Sequence, residues 1–271
     1  MNRINQVLEQ TRKQGRKALV TYIVNGDPVP EATLTTMHKM VAAGVDIIEL
    51  GVPFSDPMAE GPVIALGHER ALANKTSLKS TMAVVKAFRE TNNDTPVVLM
   101  GYANPVERMG YKVFAQSASA AGVDGLLTVD LPPEEAADLN EELKAVGVEN
   151  IFLIAPTTVT ERAKNIADMA GGFLYYVSLK GVTGAGHLDV GSVETKLAEL
   201  RQLTDLPICV GFGIKDAATA KAIAKTADGA VVGSLLVAKM GELADQPVDA
   251  IADAVVELIA PIRQGLDELA D

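Results

Sequence analysis

At 271 residues, 48% of them apolar and only 4% aromatic with no tryptophan, the chain has the length of one large α/β domain and an aliphatic core. Its net charge of −11 and the lack of any basic block argue against nucleic acid or an anionic membrane surface as a partner. Cys209 is the only cysteine, which excludes an internal disulfide, and it lies in the apolar run Pro207 to Val210 as a core residue.

Residues 2–13 suit a short amphipathic helix with Ile4, Val7 and Leu8 on one face. The stretch at the N-terminus lacks the apolar segment of a signal peptide, and no run reaches the ~20 apolar residues of a membrane span, so a cytoplasmic protein is expected. A first strand, Ala18 to Val24, ends at the turn Asn25-Gly-Asp-Pro28, and Leu34, Met37 and Val41 then recur at helical spacing. Further strands are predicted at Val45–Leu50, Pro96–Met100, Val123–Val129, Asn150–Ile154, Phe173–Val177, Pro207–Val210 and Gly229–Val232. Helical patterns fill the gaps between them, and a last long one, Val248 to Leu269, is expected to kink or divide near Pro261.

Eight β-then-α units predict a single (β/α)8 TIM barrel over residues 1–271, with an added N-terminal helix and an extra short helix after strand two. A doubly wound open sheet would carry a GxGxxG turn after the first strand, and Asn25-Gly-Asp-Pro28 is nothing like one. The connections after strands two and six are the longest, and both are βα loops, which in barrels surround the active site. The first runs Glu49-Leu-Gly-Val-Pro-Phe-Ser-Asp-Pro57, Met58, Ala59, Glu60, Gly61 and a helix from Pro62 to Leu72. The second, Ser178 to Asp189, is glycine-rich in the manner of a lid.

Glu49 ends a buried strand, where a carboxylate is costly unless it is paired or used; a raised pKa there suits proton shuttling near neutral pH. The competing explanation is a glutamate satisfied by a tyrosine or a cation. Asp56 and Glu60 share the following loop, and spacing alone does not say which of them faces the pocket. Asp27 and Asp130 suit turn and supporting roles. Strand seven ends in Gly211-Phe212-Gly213 and strand eight in Gly233-Ser234, each before a helix, an arrangement that brings backbone N–H groups onto an anion such as phosphate. None of the fifteen lysines lies inside a strand, which disfavours a Schiff base, and His38, His68 and His187 are scattered without metal-ligand spacing.

The segment Glu49 to Pro57 closely resembles the signature of the tryptophan synthase alpha chain family. The turn Gly26 to Pro28, Tyr102-Ala-Asn104, Asp130-Leu-Pro132, Gly181-Val-Thr-Gly184, Gly211-Phe-Gly-Ile214 and Gly233-Ser234 follow in the family's order. The resemblance implies a lyase that cleaves indole-3-glycerol phosphate to indole and glyceraldehyde 3-phosphate. It further implies an alpha2beta2 complex with a tryptophan synthase beta chain that holds pyridoxal phosphate, the alpha chain holding no cofactor or metal. The family's catalytic carboxylates map onto Glu49 and Glu60. Its substrate-binding positions map onto Tyr22, Tyr102, Leu127, Tyr175 and Thr183 around the indole, with Phe212 beside them and Gly184, Gly213, Gly233 and Ser234 at the phosphate. Pro53 and Asp56 match the loop that meets the beta chain.

The sequence departs from the resemblance in three places. Tyr22 stands where many members carry phenylalanine, Ser178-Leu-Lys-Gly lacks an arginine some members have, and Glu60 replaces the usual aspartate with one more methylene of reach. That last difference motivates a second hypothesis, a mainly non-catalytic allosteric partner of the beta chain. A third, another phosphate-binding barrel such as a sugar-phosphate isomerase, is opposed by the Pro53–Pro57 loop and the lack of a strand histidine.

Overall fold

Each strand reads as continuously apolar because it is covered on both faces, by helices outside and by the other strands' side chains inside. The computed structural model describes residues 2–178, 190–211 and 213–270. Its strands are β1 Ala18–Val24, β2 Ile47–Gly51, β3 Val97–Gly101, β4 Gly125–Thr128, β5 Glu149–Ile154, β6 Leu174–Val177, β7 Ile208–Gly211 and β8 Gly229–Val232. They pair in parallel in sequence order, and β8 returns to β1, closing a barrel. The helices are α1 Arg3–Lys13, α2 Pro30–Ala42, α3 Pro62–Ala73, α4 Leu78–Arg89, α5 Ala103–Met109, α6 Tyr111–Ala121, α7 Ala137–Ala145, α8 Thr160–Met169, α9 Val190–Leu200, α10 Ala217–Ala224, α11 Ser234–Glu242 and α12 Val248–Asp267.

The core divides accordingly. Leu19, Ile23, Ile48, Leu50, Leu99 and Val210 belong to a cluster packed under the helices. Val20, Tyr22, Ile47, Val98, Leu127 and Tyr175 belong to a second one, inside the barrel. Cys209 is fully buried in that interior, as expected of a core residue. The added helix α1 closes the N-terminal end, where Ile4 and Leu8 enter the interior cluster. Ile4 fits because Gly125 has no side chain: a Cβ there would stand 2.9 Å from Ile4 Cδ1.

Three aspartates just before strands fasten the same end. Asp46 accepts the Leu19 N–H at 2.8 Å and pairs with Arg263 at 2.9 Å. Asp124 accepts the Val97 N–H at 2.8 Å and pairs with Arg89 at 2.7 Å and Arg3 at 2.9 Å. Asp228 accepts the Ile208 N–H at 2.8 Å and pairs with Arg201 at 2.9 Å. Each carboxylate thus continues the hydrogen-bond ladder by one step below the first paired residue.

Pro261 does not divide the last helix, which runs unbroken from Val248 to Asp267. Proline removes one backbone donor, but Pro261 is exposed while Ile251, Val255, Ile259, Ile262 and Leu266 on the opposite side are buried. No helix among the described residues is long and apolar enough to cross a membrane.

Candidate active site

Side chains two apart on a strand share a face, so Glu49 follows Ile47 into the barrel, one layer nearer the C-terminal mouth. It is fully buried, in register with Tyr22 on β1 and Val98 on β3. Neither of its carboxylate oxygens has a hydrogen-bond partner among the described residues. Burial, and then the facing Glu60 carboxylate, push its pKa up to about 8. An unsatisfied carboxyl in a dry cavity is expensive, which favours the reading of a used group over that of a satisfied one.

The loop after β2 brings the second carboxylate back over the mouth. Val52 N–H extends the ladder to Met100 O at 2.8 Å. The Phe54 ring stacks on Tyr102 at 4.9 Å, and the Tyr102 hydroxyl accepts the Ala59 N–H at 3.1 Å. A turn bond from Glu60 N–H to Pro57 O at 3.0 Å then sets Glu60, which is only 9% exposed. Burial pushes its pKa up to about 7. Asp56, the other acid of the loop, is exposed and accepts from the Ser55 hydroxyl at 2.5 Å. Of the two acids that spacing left open, Glu60 is the buried one that bears on Glu49, and Asp56 is exposed to solvent. Pro53 is buried within the chain.

Three tyrosines surround the pair. Tyr22 and Tyr175 are 3% and 5% exposed, and burial raises both well above the usual phenol value, with the Glu49 and Glu60 charges adding to the shift. Glycines on the adjacent strands make the room: a Cβ on Gly51 would overlap the Tyr22 ring, and one on Gly211 the Tyr175 ring. Leu127, fully buried on β4, joins the same interior cluster. At the other side of the mouth Gly213 takes a positive φ of 77°, open to glycine. Gly233 backs onto Tyr22 and precedes Ser234, the first residue of α11. The first N–H groups of a helix have no partner within it and attract anions. Thr183, Gly184 and Phe212, with the rest of the loop 179–189, lie outside the described residues.

Asp27 and Asp130 take supporting places. Asp27 is held by Arg70 through two bonds of 2.6 and 3.0 Å, and Asp130 accepts the Ala103 N–H at 2.7 Å at the start of α5. Among the described residues no three metal-binding side chains converge. The residue that sequence reasoning passed over is His68. It is 2% exposed, its Nδ1 accepts the Phe54 N–H at 3.0 Å, and its Nε2 lies 3.2 Å from the Tyr22 hydroxyl. A signal was present: Ile64, His68 and Ala71 recur on one face of α3, and all three are buried.

Carboxylates kept dry at strand ends, with proton affinities moved toward neutrality, mark acid–base enzymes of the (β/α)8 class. Within that class the chain belongs to the tryptophan synthase alpha chain family, whose sequence pattern matches residues 8–264. It is 54% identical over 270 residues to the tryptophan synthase alpha chain of Marinobacter nauticus, covering all of both chains. To that of Thioalkalivibrio sulfidiphilus it is 57% identical, covering 98% of this chain and 100% of the relative. The solved subunit alpha of tryptophan synthase from Legionella pneumophila superposes with a TM-score of 0.92 at 42% identity, covering 99% of each chain. A Mycobacterium tuberculosis tryptophan synthase structure superposes with a TM-score of 0.88 at 34% identity, covering 98% of each.

Proposed function

We propose that this chain cleaves indole-3-glycerol phosphate to indole and glyceraldehyde 3-phosphate, with Glu49 as the proton shuttle and Glu60 as the partner of the indole nitrogen. The observation that carries the assignment is the pair of buried glutamates at the barrel mouth, Glu49 without a hydrogen-bond partner among the described residues, and burial raises the proton affinity of both. At neutral pH Glu49 is mostly protonated and delivers its proton to the ring carbon that bears the glycerol chain. Positive charge then develops at the ring nitrogen, where the Glu60 carboxylate accepts the N–H and stabilises it. Glu49, now ionised, takes the proton of the adjacent side-chain hydroxyl. The C–C bond breaks, its electron pair returns to the ring, and the oxygen becomes the aldehyde. One proton is given and one taken, so Glu49 ends as it began.

Leu127, Tyr102 and Tyr175 would pack the indole, and the backbone of Gly213, Gly233 and Ser234, with Gly184, would take the phosphate. Tyr22 forms the wall beside Glu49 in this reading, and substrate-binding roles for Thr183 and Phe212 are part of the proposal. No step calls on a cofactor held by this chain; pyridoxal phosphate belongs to the beta chain expected as its partner in an alpha2beta2 assembly, with Asp56 on the exposed face of the loop and Pro53 shaping it. A chain serving mainly as a non-catalytic partner is not favoured, because Glu60 is itself buried and bears on the Glu49 carboxyl. Purified chain given indole-3-glycerol phosphate is expected to release indole, and to do so faster with beta chain added. No indole under either condition overturns the proposal.

A further inference from the structure

The cleavage steps make no use of His68, although it joins two parts of the site. An N–H donates only to an unprotonated ring nitrogen, so the bond from Phe54 N–H to Nδ1 at 3.0 Å fixes the ring's proton on Nε2. Nε2 therefore donates to the Tyr22 hydroxyl at 3.2 Å. Burial keeps the ring neutral, pushing its pKa down to about 4. With its oxygen accepting from His68, Tyr22 must turn its own proton elsewhere. The charged and titratable groups that bear on this hydroxyl are Glu60, Glu49, Tyr102 and Asp27. Asp27 is already held twice by Arg70, and the Tyr102 oxygen accepts from Ala59. Tyr22 stands in register with Glu49, whose two carboxylate oxygens are without a hydrogen-bond partner among the described residues, so the carboxylate pair is where a freed hydroxyl proton is wanted.

We propose that His68 is a positioning residue that, through Nε2, sets the Tyr22 hydroxyl as a hydrogen-bond donor toward the Glu49–Glu60 pair, while its Nδ1 clamps the loop at Phe54. This rests on the reading of those glutamates as the lyase carboxylates. The device addresses a difficulty of the site: two carboxyls in one dry cavity resist ionisation, yet the reaction needs one of them charged while the other holds its proton. A donor aimed at the pair favours the charged form. Because Tyr22 is in register with Glu49 on the neighbouring strand, the barrel itself fixes the approach of that donor, and α3 fixes its direction.

Asparagine and glutamine separate the two halves of the device. His68→Asn places an amide oxygen near Nδ1, so Phe54 keeps its acceptor while Tyr22 loses its donor. His68→Gln places an N–H near Nε2 and restores the bond to Tyr22. The test titrates the carboxyl groups by carbon-13 NMR of glutamate-labelled protein, with Glu49→Gln and Glu60→Gln to assign the two signals. Alongside it, kcat and KM for indole release are measured across pH. In Tyr22→Phe the apparent pKa values of the pair are expected to rise by about one unit, with the carboxylate limb of the kcat/KM profile moving the same way and kcat falling more than KM changes. His68→Asn should reproduce the rise, Tyr22→Phe/His68→Asn should go no further than Tyr22→Phe, and His68→Gln should return toward wild type. Unshifted titrations in Tyr22→Phe overturn the proposal, as does a His68→Gln no different from His68→Asn. Tyr22→Phe keeps the ring, so it decides the matter even if the His68 variants fail to fold. Wild-type chain that releases no indole sinks the lyase reading, whereas the NMR titrations answer for His68 with or without turnover.

Discussion

Glu49 works because it is badly solvated, and that makes its usefulness and its cost measurable on the same residue. Replacing it by glutamine keeps the shape and removes the proton. Glu49→Gln is expected to lower kcat by at least ~10³-fold with substrate affinity retained, read from indole release and from binding titration. The same change should stabilise the fold in a pH-dependent way. A carboxyl whose pKa rises from its ordinary 4.5 to about 8 on folding makes the native state hold more protons than the unfolded chain across that window. Stability therefore falls as pH rises through the window. Melting temperatures of Glu49→Gln and wild type should accordingly be close at pH 4.5 and diverge toward pH 9, with the variant higher; a gap that closes as pH rises would show the carboxyl to be satisfied after all. Glu60 is constrained differently. Its backbone is pinned by Ala59 on the Tyr102 hydroxyl and by its own bond to Pro57, so it cannot follow a shorter side chain. Glu60→Asp retracts the carboxylate by roughly one C–C bond, ~1.5 Å, and should reduce kcat/KM by ~10- to 100-fold. A faster Glu60→Asp would mean that the loop is set for the shorter carboxylate.

At the scale of elements, strands and their ends explain both what the sequence revealed and what it hid. The strands were legible because a doubly covered strand is apolar throughout, and the boundary errors have reasons. Strand two was expected from Val45 and begins at Ile47, because Asp46 is spent accepting the Leu19 N–H. Gly51, Gly101 and Gly211 read as punctuation after strands yet end inside them, since Gly51 and Gly211 make room for tyrosines of neighbouring strands. The helix α5 escaped notice because it is only 7 residues long and carries Pro105 near its start. Glu49 could be picked out by residue type and place in the chain, whereas Glu60 was separated from Asp56 only by the family resemblance. The bond from His68 to Tyr22 could not be picked out, because it joins residues 46 positions apart across two elements whose facing is set only once the barrel closes. The strand-start aspartates make a prediction of their own. Asp124 is almost fully buried, with two arginines and one backbone N–H upon it. Asp124→Ala leaves Arg89, itself mostly buried, without its carboxylate and should cost about 3 kcal/mol in denaturant unfolding. Asp124→Asn should cost less, because the amide oxygen still accepts from Val97.

Across the whole molecule the two ends of the barrel do different work. The strand-start aspartates with their arginines and the α1 plug are gathered at the N-terminal end, where they hold strands in register. The two buried glutamates, raised phenols and helix starts are gathered at the C-terminal end, where chemistry needs them. In the proposed assembly the partner acts on the C-terminal end without loosening the other, and the loop after β2 with α3 is placed to transmit it. Its inner side touches Tyr102 and His68, while its outer side exposes Met58, 80% accessible, with Leu66 of α3, 52% accessible, also open to solvent. Large apolar side chains left exposed near a catalytic loop suit a protein interface better than solvent. Met58→Asp is therefore expected to leave indole release by the isolated chain near the wild-type rate and to raise the beta-chain concentration needed for half-maximal stimulation by about tenfold. Val113→Asp offers the control: Val113 is 55% exposed on α6, a helix packed on α4, α5 and α7, and its charge should leave stimulation unchanged. Equal loss of stimulation in both variants would mean that the partner's footprint is not centred on the loop after β2.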